Sequence, residues 1–557
     1  MGNVLNLICE TTTLQQWLPQ QIQLGRTVDH QSELWNVLIF RALAEHIRHI
    51  SIHEKGIVCG RFQLWSILIC TAMSGNLCRK PIHKKDVAHY QFQLLGILIC
   101  GVISDHIIGM KNDPFKNLPE DVLRIILSKL SLKEVVRTSA VSRKWRYLWQ
   151  VSPKLNFDGI TICGKNICGK QQYSLKFISN VYAVLLQCRG RVVEELAIKF
   201  DFDTMLVGHL NNWVSFAVSS GTKFLAFDLA PKDFRCRNDR YIFPFKLLDN
   251  GSVSRLQKIQ LSFVSLQPPT QFSGFPNLRK LDLNLAHVNG KDFPEMLANS
   301  HKLEWLRIVR CHLYDELKVA SPLPCLVYLN VSYCEISKIA LCAVKLRTFV
   351  YNGRPVPIDF NRSSELENAD IYFSSVTLEH AFTELANALT TVKNLTFDTA
   401  CKPAKMPCLM DNLCTFSLLK HLKLILLFKD DVDNLSLVSF LRSAPFIENF
   451  EMHMSVFPSL YLGKGPTRRH PACPYKNLKN VFITGFIGSN GQLEFLVHIV
   501  ENAHALEVLT IDWSDKLVKK DPWEDDERKP EYVASIHRTV RKCVEGKISP
   551  RCSLGLL

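Results

Sequence analysis

The sequence predicts an α+β protein, a small three-helix module followed by a long, irregular α/β solenoid. Three observations predict it. Within residues 113–158 three capped helical patterns follow one another, and between Val193 and Ile511 one apolar spacing recurs thirteen times. The composition, 47% hydrophobic and 21% charged over 557 residues, is that of a globular chain with ample core material, which excludes a wholly disordered or collagen-like protein.

Charge and cysteine content narrow the classes further. Lys+Arg 67 against Asp+Glu 52 leaves a net charge of +15, a balance that favours acidic partners or nucleic acid without deciding the fold. Nineteen cysteines in a chain of this length, unevenly spaced, suit a reducing compartment better than a disulfide framework. The N-terminus carries no secretory pattern, and MGNVLN places Asn6 where a myristoylation signal needs Ser or Thr. The longest apolar run, Leu94 to Ile103, is far short of the ~20 residues that span a bilayer. A soluble protein of the nucleus and/or cytoplasm, with no membrane partner, is expected.

Residues 1–112 form an N-terminal extension with three tandem copies of a 30-residue repeat. Leu34-Trp35-Asn36-Val37-Leu38-Ile39 returns as Leu64-Trp65-Ser66-Ile67-Leu68-Ile69 and as Leu94-Leu95-Gly96-Ile97-Leu98-Ile99. Near-identity at one spacing marks a recent duplication, and its fold is left open. It reads either as a capping or partner-binding array or as an extension outside the working protein. His46, His49 and His53 could share a helical face, but the third copy has His106, Gly109 and Asp113 at those places, so no metal site is expected.

The helical module occupies residues 113–158. Asn117 is an N-cap, Pro119 suits the first turn, and Glu120 stands three residues after the cap. Val122, Leu123, Ile126, Leu127 and Leu130 then make one apolar stripe. Ser131 and Glu134 write a capping box for a second helix carrying Val135, and Ser142 starts a third that contains Trp145. So small a unit cannot bury every apolar face within itself, and the surplus stripe calls for a partner. Its seven basic and three acidic residues between 118 and 149 suit an acidic one.

Leu118-Pro119-Glu120-Asp121-Val122-Leu123, the Leu130-Ser131-Leu132-Lys133-Glu134 turn and the Ser142-Arg143-Lys144-Trp145-Arg146 close resemble the F-box motif in its plant form. Many plant members have Pro where this chain has Ser131, a change that keeps the helix cap. The resemblance implies docking to a Skp-type adaptor and through it to a cullin-RING ubiquitin ligase. The adaptor-facing residues would be Leu118, Pro119, Val122, Leu123, Ile126, Leu127, Leu130, Leu132, Val135 and Trp145.

Residues 159–475 carry the recurring spacing, apolar-x-x-apolar-x-apolar. Examples are Leu278/Leu281/Leu283, Leu303/Leu306/Ile308 and Leu326/Leu329/Val331, and one unit reads Phe224/Phe227/Leu229. First positions run from 193 to 506, a mean step of about 26 residues, which is that of leucine-rich repeats. The last two apolar residues share one face of a short strand, and stacked strands form a parallel sheet. The intervening polar residues, such as Lys280, Asp282 and Asn284 or Glu304, Arg307 and Arg310, are expected on the concave face or its rim as candidate target contacts. The target itself is not legible beyond an expected acidic or phosphorylated chemistry.

At residues 476–557, Leu478-Lys479-Asn480-Val481-Phe482-Ile483-Thr484-Gly485-Phe486 and Leu506-Glu507-Val508-Leu509-Thr510-Ile511-Asp512 look like the FBD region at the C-terminus of many plant F-box and leucine-rich-repeat proteins. A strand, a helix from Gln492 to Ala503 and a final strand are expected to cap the solenoid, with a last helix from about Glu531 to Val544 before a short basic tail.

Catalytic motifs are lacking. Residues 463–466, Gly-Lys-Gly-Pro, do not make a P-loop, and no nucleophile elbow, zinc helix or dinucleotide fingerprint occurs. Cys163 and Cys168 flank a Gly-rich loop without a second pair nearby, so free thiols are expected, with no cofactor and no enzyme activity of the chain's own. The leading expectation is a substrate-recognition subunit of an SCF-type ligase. The alternatives are a non-degradative repeat scaffold with a degenerate F-box and, less in keeping with the scattered basic residues, a nucleic-acid-binding solenoid.

Overall fold

The structure is a computed structural model. It describes residues 154–557 except 165–169, 189, 271, 289–291, 314–315, 320, 361–364, 375–387, 400–415, 429–433, 457–468, 470 and 518–528. The N-terminal repeats, the ten adaptor-facing residues from Leu118 to Trp145, Cys168 and residues 463–466 lie outside the described residues.

Successive side chains of a strand point to opposite faces, so a spacing of two puts each apolar pair on one side. In the strand Trp305–Val309, Leu306 and Ile308 are wholly buried while Trp305, Arg307 and Val309 are only partly covered. Repeated along the chain, this gives one parallel sheet of fifteen strands in chain order. They are β1 (Lys154–Asp158), β2 (Glu195–Lys199), β3 (Phe224–Asp228), β5 (Lys258–Ser262), β7 (Lys280–Asn284), β9 (Trp305–Val309), β11 (Tyr328–Ser332) and β13 (Thr348–Gly353), then β15 (Asn368–Phe373), β16 (Asn394–Thr399), β17 (His421–Phe428), β18 (Asn449–Val456), β19 (Asn480–Thr484), β20 (Val508–Ile511) and β21 (Ser553–Leu556). The remaining numbers belong to two small parallel sheets. One holds β4 (Tyr241–Ile242), β6 (Val264–Leu266) and β8 (His287–Val288), the other β10 (Leu317–Val319), β12 (Ile339–Leu341) and β14 (Ile358–Asp359).

The register is continuous. Leu281, Leu306, Leu329, Phe349, Ala369 and Leu395 face one another in a single row. Helices α1 (Gly159–Cys163), α2 (Lys170–Gln187), α3 (Val207–Ser219), α4 (Asn250–Arg255), α5 (Asp292–Ala298), α6 (Val438–Arg442), α7 (Asn490–Asn502) and α8 (Lys529–Val544) accompany the sheet, and Phe177, Trp213, Phe293 and Phe495 from four of them join the strand leucines in one core cluster. Burying a Leu-sized side chain stabilises by about 1.5–3 kcal/mol, so this row of rows is the fold's main support.

Two expectations need correction. In β3 the residues in register with Leu196 and Ile198 are Leu225 and Phe227, so the unit is Thr222/Leu225/Phe227 and not Phe224/Phe227/Leu229. Two further strands, β1 and β21, pair at the ends of the sheet where the sequence reading had the end of the helical module and a basic tail. The reason is shared. Each missed unit has a polar residue in the first place of the spacing, Ser152, Thr222 or Arg551. Thr222 shows how that is tolerated, because its buried hydroxyl donates to the Val193 carbonyl at 2.8 Å.

After β5, β7, β9 and β11 the chain turns inward through a left-handed residue that is not glycine: Phe263, Leu285, Arg310 and Tyr333, with φ of 62°, 53°, 51° and 55°. Such a conformation costs a non-glycine residue about 1–2 kcal/mol. Offsetting it, the turn's N–H reaches the next strand: Phe263 donates to the Asn284 carbonyl at 2.9 Å, Leu285 to Val309 at 2.9 Å and Arg310 to Ser332 at 2.8 Å.

Candidate functional site

The open face of the sheet carries the residues that alternate with the buried ones, and the parallel register sets them in columns. Lys280, Asp282, Asn284 and Arg307 all stand on this face, with Glu304 just before β9 and Arg310 just after it. Arg307 Nη1 donates to Asp282 Oδ1 at 2.9 Å, and beneath that guanidinium Asp282 is buried. The Lys280 ammonium lies 5.0 Å from the centre of the Trp305 ring. Trp305 in turn stacks on Tyr328 with centroids 3.6 Å apart and planes at 11°. Its indole Nε1 is buried and has no hydrogen-bond partner among the described residues.

Further along, small polar side chains link neighbouring strands. Asn394 Nδ2 donates to Asn368 Oδ1 at 2.8 Å, Asn480 Nδ2 to Asn449 Oδ1 at 2.6 Å, and Asn449 and the His421 Nδ1 are 2.8 Å apart. These five residues occupy the first place of β15 to β19. Asn352 likewise donates to Ser332 at 2.8 Å, and Ser332 to Asn330 at 2.6 Å.

Between these groups sits an acidic pair. Tyr372 of β15 is in register with Asp398 of β16, and Asp370 with Thr396 and through it Lys423. Burial, and then repulsion from Asp370, pushes the Asp398 carboxyl up to about 6. Burial also raises Asp370, with Lys423 opposing it. Asp398 Oδ1 has no hydrogen-bond partner among the described residues.

The rim before the strands is charged. Lys223 pairs with Glu194 at 2.6 Å, Arg279 with Glu304 at 2.7 Å, Lys393 with Glu367 at 2.9 Å and Lys420 with Glu448 at 2.8 Å. An array of partly covered aromatic, amide and ionic groups on a rigid sheet is suited to holding an extended or folded polypeptide through many contacts. Trp305, Tyr328, Asp370 and Asp398 escaped the sequence reading, although their places follow from the rule that picked out Lys280 and Arg307. Their contacts come only from the register.

At the end of the sheet α7 is fastened by polar groups inside the core. Ser489 and Gln492 form a capping box. The buried Gln492 Oε1 accepts from the N–H groups of Ile487 and Gly488, both at 2.9 Å, while its Nε2 donates to the Gly485 carbonyl at 3.1 Å. Tyr475 Oη and His498 Nε2 are 3.1 Å apart, and Asn502 Oδ1 accepts from the Cys473 N–H at 2.8 Å.

Parallel strands in sequential order, with an apolar row facing the helices and a polar array on the other face, define a leucine-rich-repeat protein. The family model described as "At1g61320/AtMIF1, LRR domain" matches residues 185–555, and the chain belongs to that family. The F-box domain model matches residues 115–156. Among curated proteins the chain is similar to "F-box/FBD/LRR-repeat protein At1g13570" of Arabidopsis thaliana, 26% identical over 430 residues, covering 74% of this chain and 95% of that protein. It is also similar to "F-box/FBD/LRR-repeat protein At2g04230" of the same plant, 24% identical over 449 residues and covering 77% and 94%. A third Arabidopsis relative, "F-box/LRR-repeat protein At5g02910", is 29% identical over 213 residues, a match spanning only 41% of its length. Both resemblances read in the sequence, to plant F-box/leucine-rich-repeat proteins and to their FBD-bearing members, are borne out. No helix among the described residues is long and apolar enough to cross a membrane.

Proposed function

We propose that this protein is the substrate-recognition subunit of an SCF-type ubiquitin ligase in the nucleus and/or cytoplasm. The observation that carries the reading is the union in one chain of an F-box match at 115–156 with a fifteen-stranded repeat sheet bearing a polar open face. In this reading Leu118, Pro119, Val122, Leu123, Ile126, Leu127, Leu130, Leu132, Val135 and Trp145 dock a Skp-type adaptor, which links the chain to a cullin-RING ligase. The repeats hold a target protein near a conjugating enzyme bound elsewhere in the assembly. The contribution to rate is proximity, with no bond made or broken by this chain.

Co-expression with a Skp-type adaptor tests it. A stable complex is expected, and Leu118→Ala with Pro119→Ala should weaken it at least about tenfold, the loss of roughly 1.4 kcal/mol of contact, while melting of the repeat part stays unchanged. A folded wild-type sample that forms no complex overturns the proposal.

A further inference from the structure

Left-handed residues follow β5, β7, β9 and β11, and the residue after each falls in one row: Val264, Ala286, Cys311 and Cys334. Two neighbouring places in that row hold cysteine. We infer that Cys311 and Cys334 form a redox modification site, at which a peroxide joins them in a disulfide that ties the turns after β9 and β11 together.

The register places the two side by side. From Trp305 with Tyr328 to Val309 with Ser332, each residue of β9 faces the one 23 positions later, and the bridge between His312 and Glu335 beyond the turn keeps the same offset. Cys311 and Cys334 also differ by 23 positions, so they stand opposite one another between those fixed points. The strand spacing of ~4.8 Å lies inside the Cα separation of about 4.4–6.8 Å that a disulfide spans. Both are free thiols set against the ends of these strands. Cys311 donates to the Val309 carbonyl at 3.3 Å, and Cys334 to the carbonyls of Ile308 at 3.5 Å and Ser332 at 3.4 Å.

Their surroundings give them different parts. Cys311 is buried, and burial pushes its thiol well above the usual range. Cys334 is only partly covered, and hydrogen bonding from Cys311 holds its thiol below that range. The thiolate is the form that attacks peroxide, and it needs access. Cys334 therefore reacts first. Its sulfur attacks hydrogen peroxide and breaks the O–O bond to become a sulfenic acid, and the hydroxide that leaves takes up the proton Cys334 had lost. The Cys311 sulfur then displaces the sulfenic hydroxyl, which departs as water with the Cys311 proton as the S–S bond forms. Two thiols are oxidised and one peroxide is reduced to two waters.

The consequence falls on the rim of the open face. Arg310 and Tyr333 stand immediately before the two cysteines, the guanidinium 5.7 Å from a ring that is more than half exposed. The bond would hold these two side chains at one separation.

The test treats the full chain with hydrogen peroxide, maps its cysteines by differential alkylation and mass spectrometry, and traps sulfenic acid with dimedone. A disulfide between Cys311 and Cys334 is expected, reversed by a dithiol. Cys311→Ala, a residue the row already accepts at Ala286, should leave a dimedone adduct on Cys334. Cys334→Ala should leave Cys311 unmodified, and Cys334→Val, matching Val264, is a second replacement at that place. In the oxidised wild type, amide exchange at residues 310–312 and 333–335 should slow at least about tenfold. A folded wild type that forms no such disulfide, or a Cys311 that reacts as fast in both Cys334 variants, overturns the inference. A disulfide that leaves the exchange unchanged overturns its role in fixing the rim.

Discussion

The turns that follow β11 and β19 occupy the same place in the repeat and are made from opposite residues. After β11 it is Tyr333, left-handed at φ 55° and more than half exposed, with the Arg310 guanidinium 5.7 Å from its ring. After β19 it is Gly485 at φ 68°, where an added Cβ would collide with the Met454 carbonyl of the preceding strand. The backbone conformation is alike, and what differs is how closely the neighbouring main chain approaches. Where there is room, the turn keeps a side chain and uses it: Phe263 and Leu285 in the core, Arg310 and Tyr333 outside. Where the chain closes over α7, only glycine fits.

A second contrast follows the same line. In the front of the sheet Asp282 is buried beneath its partner Arg307, whereas toward the back Asp398 keeps an unsatisfied oxygen beside Asp370. One carboxylate is matched by the next repeat and the other is not.

The comparison can be broken in four places, of which Gly485→Ala should have the largest effect. Left-handed strain of about 1–2 kcal/mol combines there with a backbone collision, and a loss of about 3–5 kcal/mol in denaturant unfolding is expected. A loss below that of an exposed alanine substitution would mean the turn has more room than its neighbours allow.

Gln492→Leu comes next. It keeps the volume but strands the Ile487 and Gly488 N–H groups and the Gly485 carbonyl, so a loss of about 2–4 kcal/mol is expected. Gln492→Glu, which keeps the acceptor, should recover part of it. Equal losses in the two would show that shape, not hydrogen bonding, secures α7.

Asp398→Asn should stabilise, by about 1–3 kcal/mol at pH 7 to 8. The folded carboxyl titrates near 6 and an unfolded one near about 3.9, so the native state binds the proton more tightly. The wild type therefore loses stability as pH rises from about 4 to 6. The gain from asparagine should be full above pH 6 and vanish toward pH 4, as read from melting across that range. A gain independent of pH would rule out ionisation as its source.

The smallest effect belongs to Tyr333→Gly. Relief of strain and loss of the contact with Arg310, each about 1 kcal/mol, nearly cancel, and a gain of up to about 1 kcal/mol is expected. Marked destabilisation would show that the exposed ring supports the turn.

Much of the repeat architecture was legible because one physical requirement repeats. A strand that packs on one face must place apolar residues two apart, and twelve of the thirteen units read this way match the observed rows. The exception, at Phe224, and the two unread strands at Lys154 and Ser553 share a polar residue in the first place, where a pattern built on apolar spacing has no signal. Thr222 satisfies that place with a hydrogen bond to a residue 29 positions away, a partner that sequence proximity does not suggest. The open-face positions were legible in the same way, as the residues between the leucines.

By itself, then, the sequence determined the strand pattern, the polar face and the two family resemblances, since each depends on residue type at short spacing. Only the tertiary structure decided which of those residues meet. The Trp305 and Tyr328 stack joins residues 23 positions apart, and a cleft where β3, β5, β7 and β9 begin gathers Lys223 with Lys302 across 79. Arg307 covers Asp282 while Asp398 stays unmatched, because side chains on a parallel sheet find partners one strand over, at a distance set by the length of each repeat. Those lengths vary, and only the completed hydrogen-bond register turns them into neighbours.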